Sequence, residues 1–494
     1  MSTDAVQAAT LSDQRRWWAL MVLCLGVLMI VLDSTVVNVA LPSIRQDLKF
    51  TESSLVWVVN AYVLTFGGSL LLSGRLGDLY GHRRLFLIGI TVFTIASLAC
   101  GFANTLGLLI TARALQGLGG SVVLAVALAL IMNMFTHEAM RAKAMGVYSF
   151  VCASGGSIGV LLGGTLTSVL NWHWIFFINL PIGVAVYGLC LSLVPNIRAE
   201  VADGRLDVWG AVTVIMSLTL TIYAIVNGNQ AGWISAQTLS LLACAAILFA
   251  LFLMIEACVP TPLLPLGIFK RRNLTISNTV GVLWAAGGAA WFFISALYMQ
   301  LVLGYGPLRV GLAFLPSNVI MGAFAWGLSA KLVKNIGIKK PLTIGLLLVA
   351  TGLALLARAP VDGGFKTDVL PSMVLLGLGA GVAYNPLLLA GMSDVAPSES
   401  GLASGIINTS CMMGGALGLA ILASLSVGRT NDLLASGATI PVSLAGGYRV
   451  ALTLAAVCVG MAALLAAAFL RTKMPAPALE LTNIGAVVPA NAED

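Results

Sequence analysis

Fourteen separate apolar runs, each about twenty residues long, leave this chain one kind of surrounding in which it can fold. They centre near residues 29, 64, 94, 119, 156, 184, 217, 247, 287, 319, 349, 380, 413 and 459. A helix of that length matches the hydrocarbon thickness of a bilayer. Inside a bilayer every backbone polar group must bond internally, so only helices or a closed barrel can span it. The barrel pattern, alternation of apolar and polar residues in segments of about ten, is absent. An all-α integral membrane protein with fourteen transmembrane helices is therefore expected. Charged residues make up 9% of the chain, against roughly 25% in a soluble domain.

Charge placement orients the spans. An even number of spans puts both termini on one side. That side collects eighteen Lys and Arg residues, among them Arg15, Arg16, Arg75, Arg83, Arg84, Lys270, Arg271, Arg272, Lys339 and Lys340, while seven fall on the other. The positive-inside rule makes the richer side cytoplasmic and predicts a multi-pass protein of the cell (inner) membrane. Topology accounts for the net charge of +7, so no nucleic-acid partner is implied. The first apolar run is too long and lacks the cleavage site of a signal peptide. Eight cysteines without a CxxC pair or a neighbouring histidine imply neither a disulfide framework nor a metal site. With no GxxxxGK[ST] segment, no nucleotide is expected, and no cofactor.

The expected organisation is a cytoplasmic segment 1–16, a six-helix bundle 17–195, a two-helix central insert 196–260, a second six-helix bundle 261–471 and a disordered cytoplasmic tail 472–494. An internal echo supports two related bundles. Gly74 to Arg84 reads GRLGDLYGHRR, and 256 residues later Ala330 to Lys340 reads AKLVKNIGIKK, with Gly81 matching Gly337 and Arg83 with Arg84 matching Lys339 with Lys340. Each copy follows the second span of its bundle. Parallel repeats of this kind are a transporter architecture.

Two residues stand out against the apolar background. Asp33 is a lone carboxylate within a spanning run, and Arg113 is the only basic residue deep in a span. Charge in hydrocarbon is costly unless paired or hydrated, so such residues mark ion pathways or proton relays. At 1.5 Å rise per residue, both lie on the order of 10 Å below the same membrane face and can share one cavity. The alternative is a static buried ion pair. Weaker candidates for a substrate cavity are Asn60, Gln116, Asn318, Asn385 and Asn408, with Trp284, Trp291, Phe292, Phe293 and Tyr298 as an aromatic wall. Each asparagine can equally bond between helices, and each ring can equally be packing. In the Gly74–Arg84 loop, Gly77 and Gly81 allow tight turns. Asp78 there can accept hydrogen bonds from a neighbouring helix end, forming a latch.

These segments together resemble the major facilitator superfamily, in particular its fourteen-span drug:proton antiporters. Gly74, Leu76, Asp78, Gly81, Arg83 and Arg84 are similar to the signature between spans two and three, with His82 in place of a basic residue. Leu32 to Pro42 resembles the first-span signature, and Arg113-x-x-Gln116-Gly117-x-Gly119 the fourth. The antiporter motif of span five is represented by Gly155, Gly159, Gly163 and Gly164. Val160 stands where the family places proline, so the ring that kinks that helix is missing.

The resemblance implies the major facilitator fold of two six-helix bundles plus two additional central helices, and no enzymatic activity. It implies a proton-coupled exporter of hydrophobic or monocationic small molecules such as drugs. Protons, the small-molecule substrate and membrane lipid are then the partners. Rival expectations are a lipid or lipid-like metabolite transporter of the same fold, and a membrane sensor or scaffold that does not transport.

Overall fold

A computed structural model describes residues 13–49, 51–135, 138–195, 207–259, 262, 264, 266–324, 328–394 and 400–471. The expected tail 472–494 and most of segment 1–16 lie outside the described residues. The chain is helical throughout them, with fourteen long helices. In the first bundle these are α1 (Asp13–Leu48), α2 (Glu52–Tyr80), α3 (His82–Gly101), α4 (Leu106–Met134), α5 (Glu138–Val169) and α6 (Trp174–Leu193). The insert is α7 (Val208–Ala231) and α8 (Ala236–Cys258). The second bundle is α9 (Arg272–Leu297), α10 (Pro307–Ala323), α11 (Lys339–Ala357), α12 (Leu370–Met392), α13 (Ser400–Ala435) and α14 (Ile440–Phe469). Eleven of these elements are long and apolar enough to cross a membrane, and α2, α5 and α10 complete the fourteen.

Local chemistry starts several of the helices. Thr105, Asp207 and Ser235 sit just before α4, α7 and α8, and each side-chain oxygen accepts a backbone N–H of the first turn. Such caps satisfy donors that have no partner within the helix.

Packing then follows from small residues, because lipid gives helices no hydrophobic reason to associate. Gly119 of α4 lies so close to α3 that a Cβ there would stand 2.9 Å from the Gly89 carbonyl. Gly345 of α11 and Gly379 of α12 repeat the arrangement, a Cβ on Gly345 standing 2.7 Å from the Gly379 carbonyl. Gly89 and Gly345 are separated by the same 256 residues as the basic echo. The repetition extends to the whole packing scheme. In one bundle α1 packs on α5 and α6, α4 on α2 and α3; in the other α9 packs on α13 and α14, α12 on α10 and α11.

The bundles meet through α5 with α10 and α2 with α13. Gly155, Gly159 and Gly163 of α5 lie flush on Val31, Leu32 and Val36 of α1, while Gly164 turns to Pro307 of α10. With no proline to kink it, α5 runs unbroken from Glu138 to Val169. Hydrogen bonds across the seam run from Gln300 Nε2 to the Val39 carbonyl at 2.9 Å, from Leu308 N to Ser168 Oγ at 3.1 Å and from Asn60 Nδ2 to the Ala416 carbonyl at 3.0 Å. They lie toward the face opposite the chain ends, here the distal face. Helix α7 joins the seam there, with Asn229 Nδ2 donating to the Ser424 carbonyl at 2.6 Å.

The Gly74–Arg84 segment differs from the expected loop. Helix α2 continues through Tyr80 and α3 begins at His82, so Gly81 alone makes the turn, at φ +91°. Gly77 is helical, and its lack of a side chain admits the buried His82 ring. Arg83 donates to the Leu191 carbonyl and Arg15 to the Ser192 carbonyl at 2.9 Å, so both cations sit on the C-terminal end of α6, where the helix dipole is negative. Arg84 is exposed. The Asp78 side chain lies outside the described residues. A Cβ at Gly81 would force a conformation that L-residues rarely adopt, at a cost of about 1–3 kcal/mol. Gly81→Ala is therefore expected to lower the thermal midpoint of the purified protein, and an unchanged midpoint would contradict the turn assignment.

Candidate functional site

Seven residues inside the first bundle form one closed polar cluster. Helix α1 contributes Asp33 and α4 contributes Arg113 with Gln116. Helix α3 brings Ser97 and Cys100, α6 brings Asn179, and α2 lays Tyr62 over the top. Arg113 Nη1 donates to Asp33 Oδ2 at 2.5 Å, and both side chains are 1% exposed. Asp33 Oδ1 accepts from Gln116 Nε2 at 2.7 Å and from Asn179 Nδ2 at 3.0 Å. The carboxylate thus has one charged and two neutral donors.

The guanidinium is equally well provided. Its Nε donates to the Val58 carbonyl at 3.1 Å and Nη1 also to Gln116 Oε1 at 2.7 Å. Its carbon lies 4.3 Å from the centroid of the Tyr62 ring and 5.9 Å from that of Phe176, where ring faces attract a cation. Ser97 Oγ accepts from Gln116 and Asn179 and donates to the Phe176 carbonyl at 2.9 Å. Cys100 Sγ reaches Gln116 Oε1 at 3.7 Å. Two polar atoms remain without partners: Tyr62 Oη and Asn179 Oδ1.

The expected proximity of Asp33 and Arg113 is thus a direct ion pair. Three other placements depart from the sequence expectation. Gln116 belongs to this cluster and is fully buried there, its amide spent on Asp33, Arg113 and Ser97. Trp291 is buried with its Nε1 on Met373 Sδ at 3.5 Å, and Tyr298 Oη donates to the Pro360 carbonyl at 2.7 Å, so both polar ends face protein. Asn60 spends its amide on the seam. Asn385 and Asn408 are half-buried, and Asn318 is buried. Sequence reasoning missed Asn179, Ser97 and Tyr62. Asn179 carried a usable signal, a lone amide in an apolar run. Ser97 and Tyr62 did not, because serine and tyrosine are ordinary in spans.

Two related six-helix halves, one of them enclosing an intramembrane ion pair, make the architecture of a membrane transporter. The chain belongs to the Major Facilitator Superfamily, whose sequence model matches residues 23–419. It is 36% identical to the puromycin resistance protein pur8 of Streptomyces alboniger, over 97% of this chain and 95% of that one. It is 35% identical to the cephamycin export protein CmcT of Amycolatopsis lactamdurans, over 83% of this chain and 84% of that one. In fold it is similar to a bacterial homologue of the human lysosomal transporter Spinster, solved inward-facing and unoccupied, with a TM-score of 0.64 at 15% identity, covering 92% of this chain and 97% of that one.

Removing one member of a buried pair leaves the other charged and unpaired, at about 3–5 kcal/mol. Arg113→Ala is expected to destabilise the purified protein by that order, and Asp33→Ala by less, because the Val58 carbonyl, Gln116 Oε1 and the Tyr62 ring still hold the guanidinium. The double variant Asp33→Asn/Arg113→Gln should lose less than the sum of its single changes. Additive losses in denaturation experiments would show that the pair is not coupled.

Proposed function

We propose that this protein exports hydrophobic or monocationic small molecules such as drugs across the cell membrane in exchange for protons, with both termini cytoplasmic. The Asp33–Arg113 pair carries this reading, supported by its similarity to an antibiotic resistance protein and an antibiotic export protein. A proton carrier in the membrane needs a group that can lose its charge partner without stranding it. Arg113 meets that condition, since the Val58 carbonyl, Gln116 Oε1 and the Tyr62 ring still hold the guanidinium after Asp33 is protonated. Gln116 and Asn179 keep the carboxyl oriented meanwhile.

The proposed cycle couples that proton to the seam. Residues 17–195 and 261–471 move as two bundles, with 196–260 inserted between them. Breaking the distal bonds of Gln300, Leu308 and Asn60 opens the outer side. The Gly74, Asp78, Gly81, Arg83 and Arg84 segment acts on the cytoplasmic side as a latch for one state. Gly155, Gly159 and Gly163 let α5 slide on α1, which carries Asp33, and this is the proposed mechanical link between protonation and movement.

Two outcomes test this reading. Wild-type protein in inverted membrane vesicles should accumulate ethidium under an inward-acid gradient, and Asp33→Asn should abolish that accumulation because an amide cannot titrate. Movement of labelled phospholipid with no ethidium would support the lipid transporter instead. Gly164→Leu should wedge the distal seam, since a Cβ at Gly164 already stands 2.7 Å from the Pro307 carbonyl. A cysteine introduced at Ser168, whose Oγ takes part in the distal seam, should then react faster with a membrane-impermeant reagent, and an unchanged rate would speak against a seam that opens.

A further inference from the structure

Every hydrogen-bond partner of the Asp33 carboxylate is a donor. Arg113 Nη1 holds Oδ2, while Gln116 Nε2 and Asn179 Nδ2 donate to Oδ1 at 2.7 and 3.0 Å. That arrangement suits the ionised carboxylate, which only accepts. A protonated carboxyl has to donate its O–H, and a buried donor without an acceptor costs free energy. The titratable groups that face Asp33 are Arg113 from α4, Tyr62 from α2 and Cys100 from α3, and none of them accepts a hydrogen bond from it. The neutral form therefore needs an acceptor that the ionised form leaves unused.

Two acceptors of the cluster are already committed. Gln116 Oε1 takes Arg113 Nη1 at 2.7 Å, so turning that amide would set its N–H hydrogens against the guanidinium. Ser97 Oγ accepts from Gln116 Nε2 and Asn179 Nδ2 and gives its own proton to the Phe176 carbonyl. Tyr62 Oη has no partner but lies beside Gly120, where a Cβ would stand 3.2 Å from it. Asn179 differs from all three. It is 1% exposed, its Nδ2 is already on Asp33 Oδ1, and its own Oδ1 is buried without a partner. The terminal torsion of asparagine is broad and roughly two-fold, so half a turn exchanges Oδ1 for Nδ2 with the backbone in place. The turn gives up the bond from Nδ2 to Ser97, which keeps that of Gln116. Asn179 also stands at a break in α6, between the helical pieces Trp174–Phe177 and Asn179–Leu193, where Pro181 has no N–H to offer the Phe177 carbonyl.

We propose that Asn179 is the positioning residue that registers protonation of Asp33, its amide turning over so that Oδ1 accepts the new carboxyl O–H. Asp33 Oδ1 takes the proton from hydronium on the acidic side, leaving water, and the proton stays on the carboxyl while the amide turns. One side chain thereby serves both charge states, through Nδ2 when Asp33 is ionised and through Oδ1 when it is neutral. Arg113 keeps the Val58 carbonyl and Gln116 Oε1 throughout. The assignment adds a residue to the proposed proton-exchange site and rests on that reading.

Infrared difference spectra of the purified full-length protein, acidified minus neutral, test this independently of transport. A protonated-carboxyl band that Asp33→Asn removes belongs to Asp33. In the wild type a side-chain amide C=O band should move to lower wavenumber along with it, because Asn179 Oδ1 gains a donor, and that band should respond to isotope labelling of asparagine. Asn179→Leu should remove the amide feature and shift the carboxyl band to higher wavenumber, since the O–H loses its acceptor. Asn179→Gln retains an amide that can turn and should restore both. In vesicles, Asn179→Leu should lower gradient-driven ethidium uptake about tenfold, the worth of one buried hydrogen bond, and Asn179→Gln should recover it. A wild-type spectrum with the Asp33 band but no amide feature overturns the proposal, whether or not the leucine variant folds. So does a carboxyl band that Asn179→Leu leaves in place. Either result beside intact gradient-driven uptake by the wild type leaves export standing. The absence, at every pH, of a carboxyl band that Asp33→Asn removes refutes Asp33 as the proton carrier and with it the exchange reading itself.

Discussion

The buried pair of Asp33 and Arg113 is the interaction on which the first bundle depends. Neither charge survives in hydrocarbon alone, so the pair obliges α1 and α4 to keep their register. It also recruits neutral partners from α2, α3 and α6 to use the remaining donors and acceptors. Hydrogen bonding of both charges in a low-dielectric interior rigidifies the helices that build the network, with only Tyr62 Oη and Asn179 Oδ1 left over. The same satisfaction makes the pair reversible. The guanidinium has a backbone carbonyl, an amide oxygen and an aromatic face to fall back on, so neutralising the carboxylate does not leave a bare charge in the bundle.

Glycine does for the apolar surfaces what that network does for the polar ones. Close approach of α3 to α4 at Gly89 and Gly119, and of α11 to α12 at Gly345 and Gly379, gives each half an equivalent rigid core. Rigid halves meeting at a seam of few hydrogen bonds suit relative movement, because each half keeps its internal packing while the seam changes. The glycines of α5 occupy the boundary between these roles, three turned to α1 within the half and one across the seam to α10.

Much of the candidate site was legible from the chain because charge in a membrane is conspicuous. Asp33 and Arg113 announced themselves, and helix rise alone brought them to one depth. Their neighbours were harder to find. Gln116 looked like a cavity residue since its spacing from Arg113 says only that the two share a helical face, and a shared face can turn either to a neighbour or to a cavity. Trp291 and Tyr298 fell to the same ambiguity. The Gly74–Arg84 segment misled in another way: two glycines suggested two turns, yet only Gly81 adopts positive φ, while Gly77 serves the fit of His82.

The sequence by itself determined that this chain is a bundle of fourteen membrane helices in two related halves. Apolar length, the 256-residue echo and the glycine spacing are one-dimensional properties that the bilayer translates directly into helices and their packing faces. Only the tertiary structure decided which polar side chains meet. Asn179 joins Asp33 across 146 residues, and Gln300 of α9's C-terminal extension reaches the Val39 carbonyl of α1 across 261. Those encounters depend on the rotation of each helix about its axis. That rotation is set by packing against neighbours distant in the chain, and no local pattern encodes it.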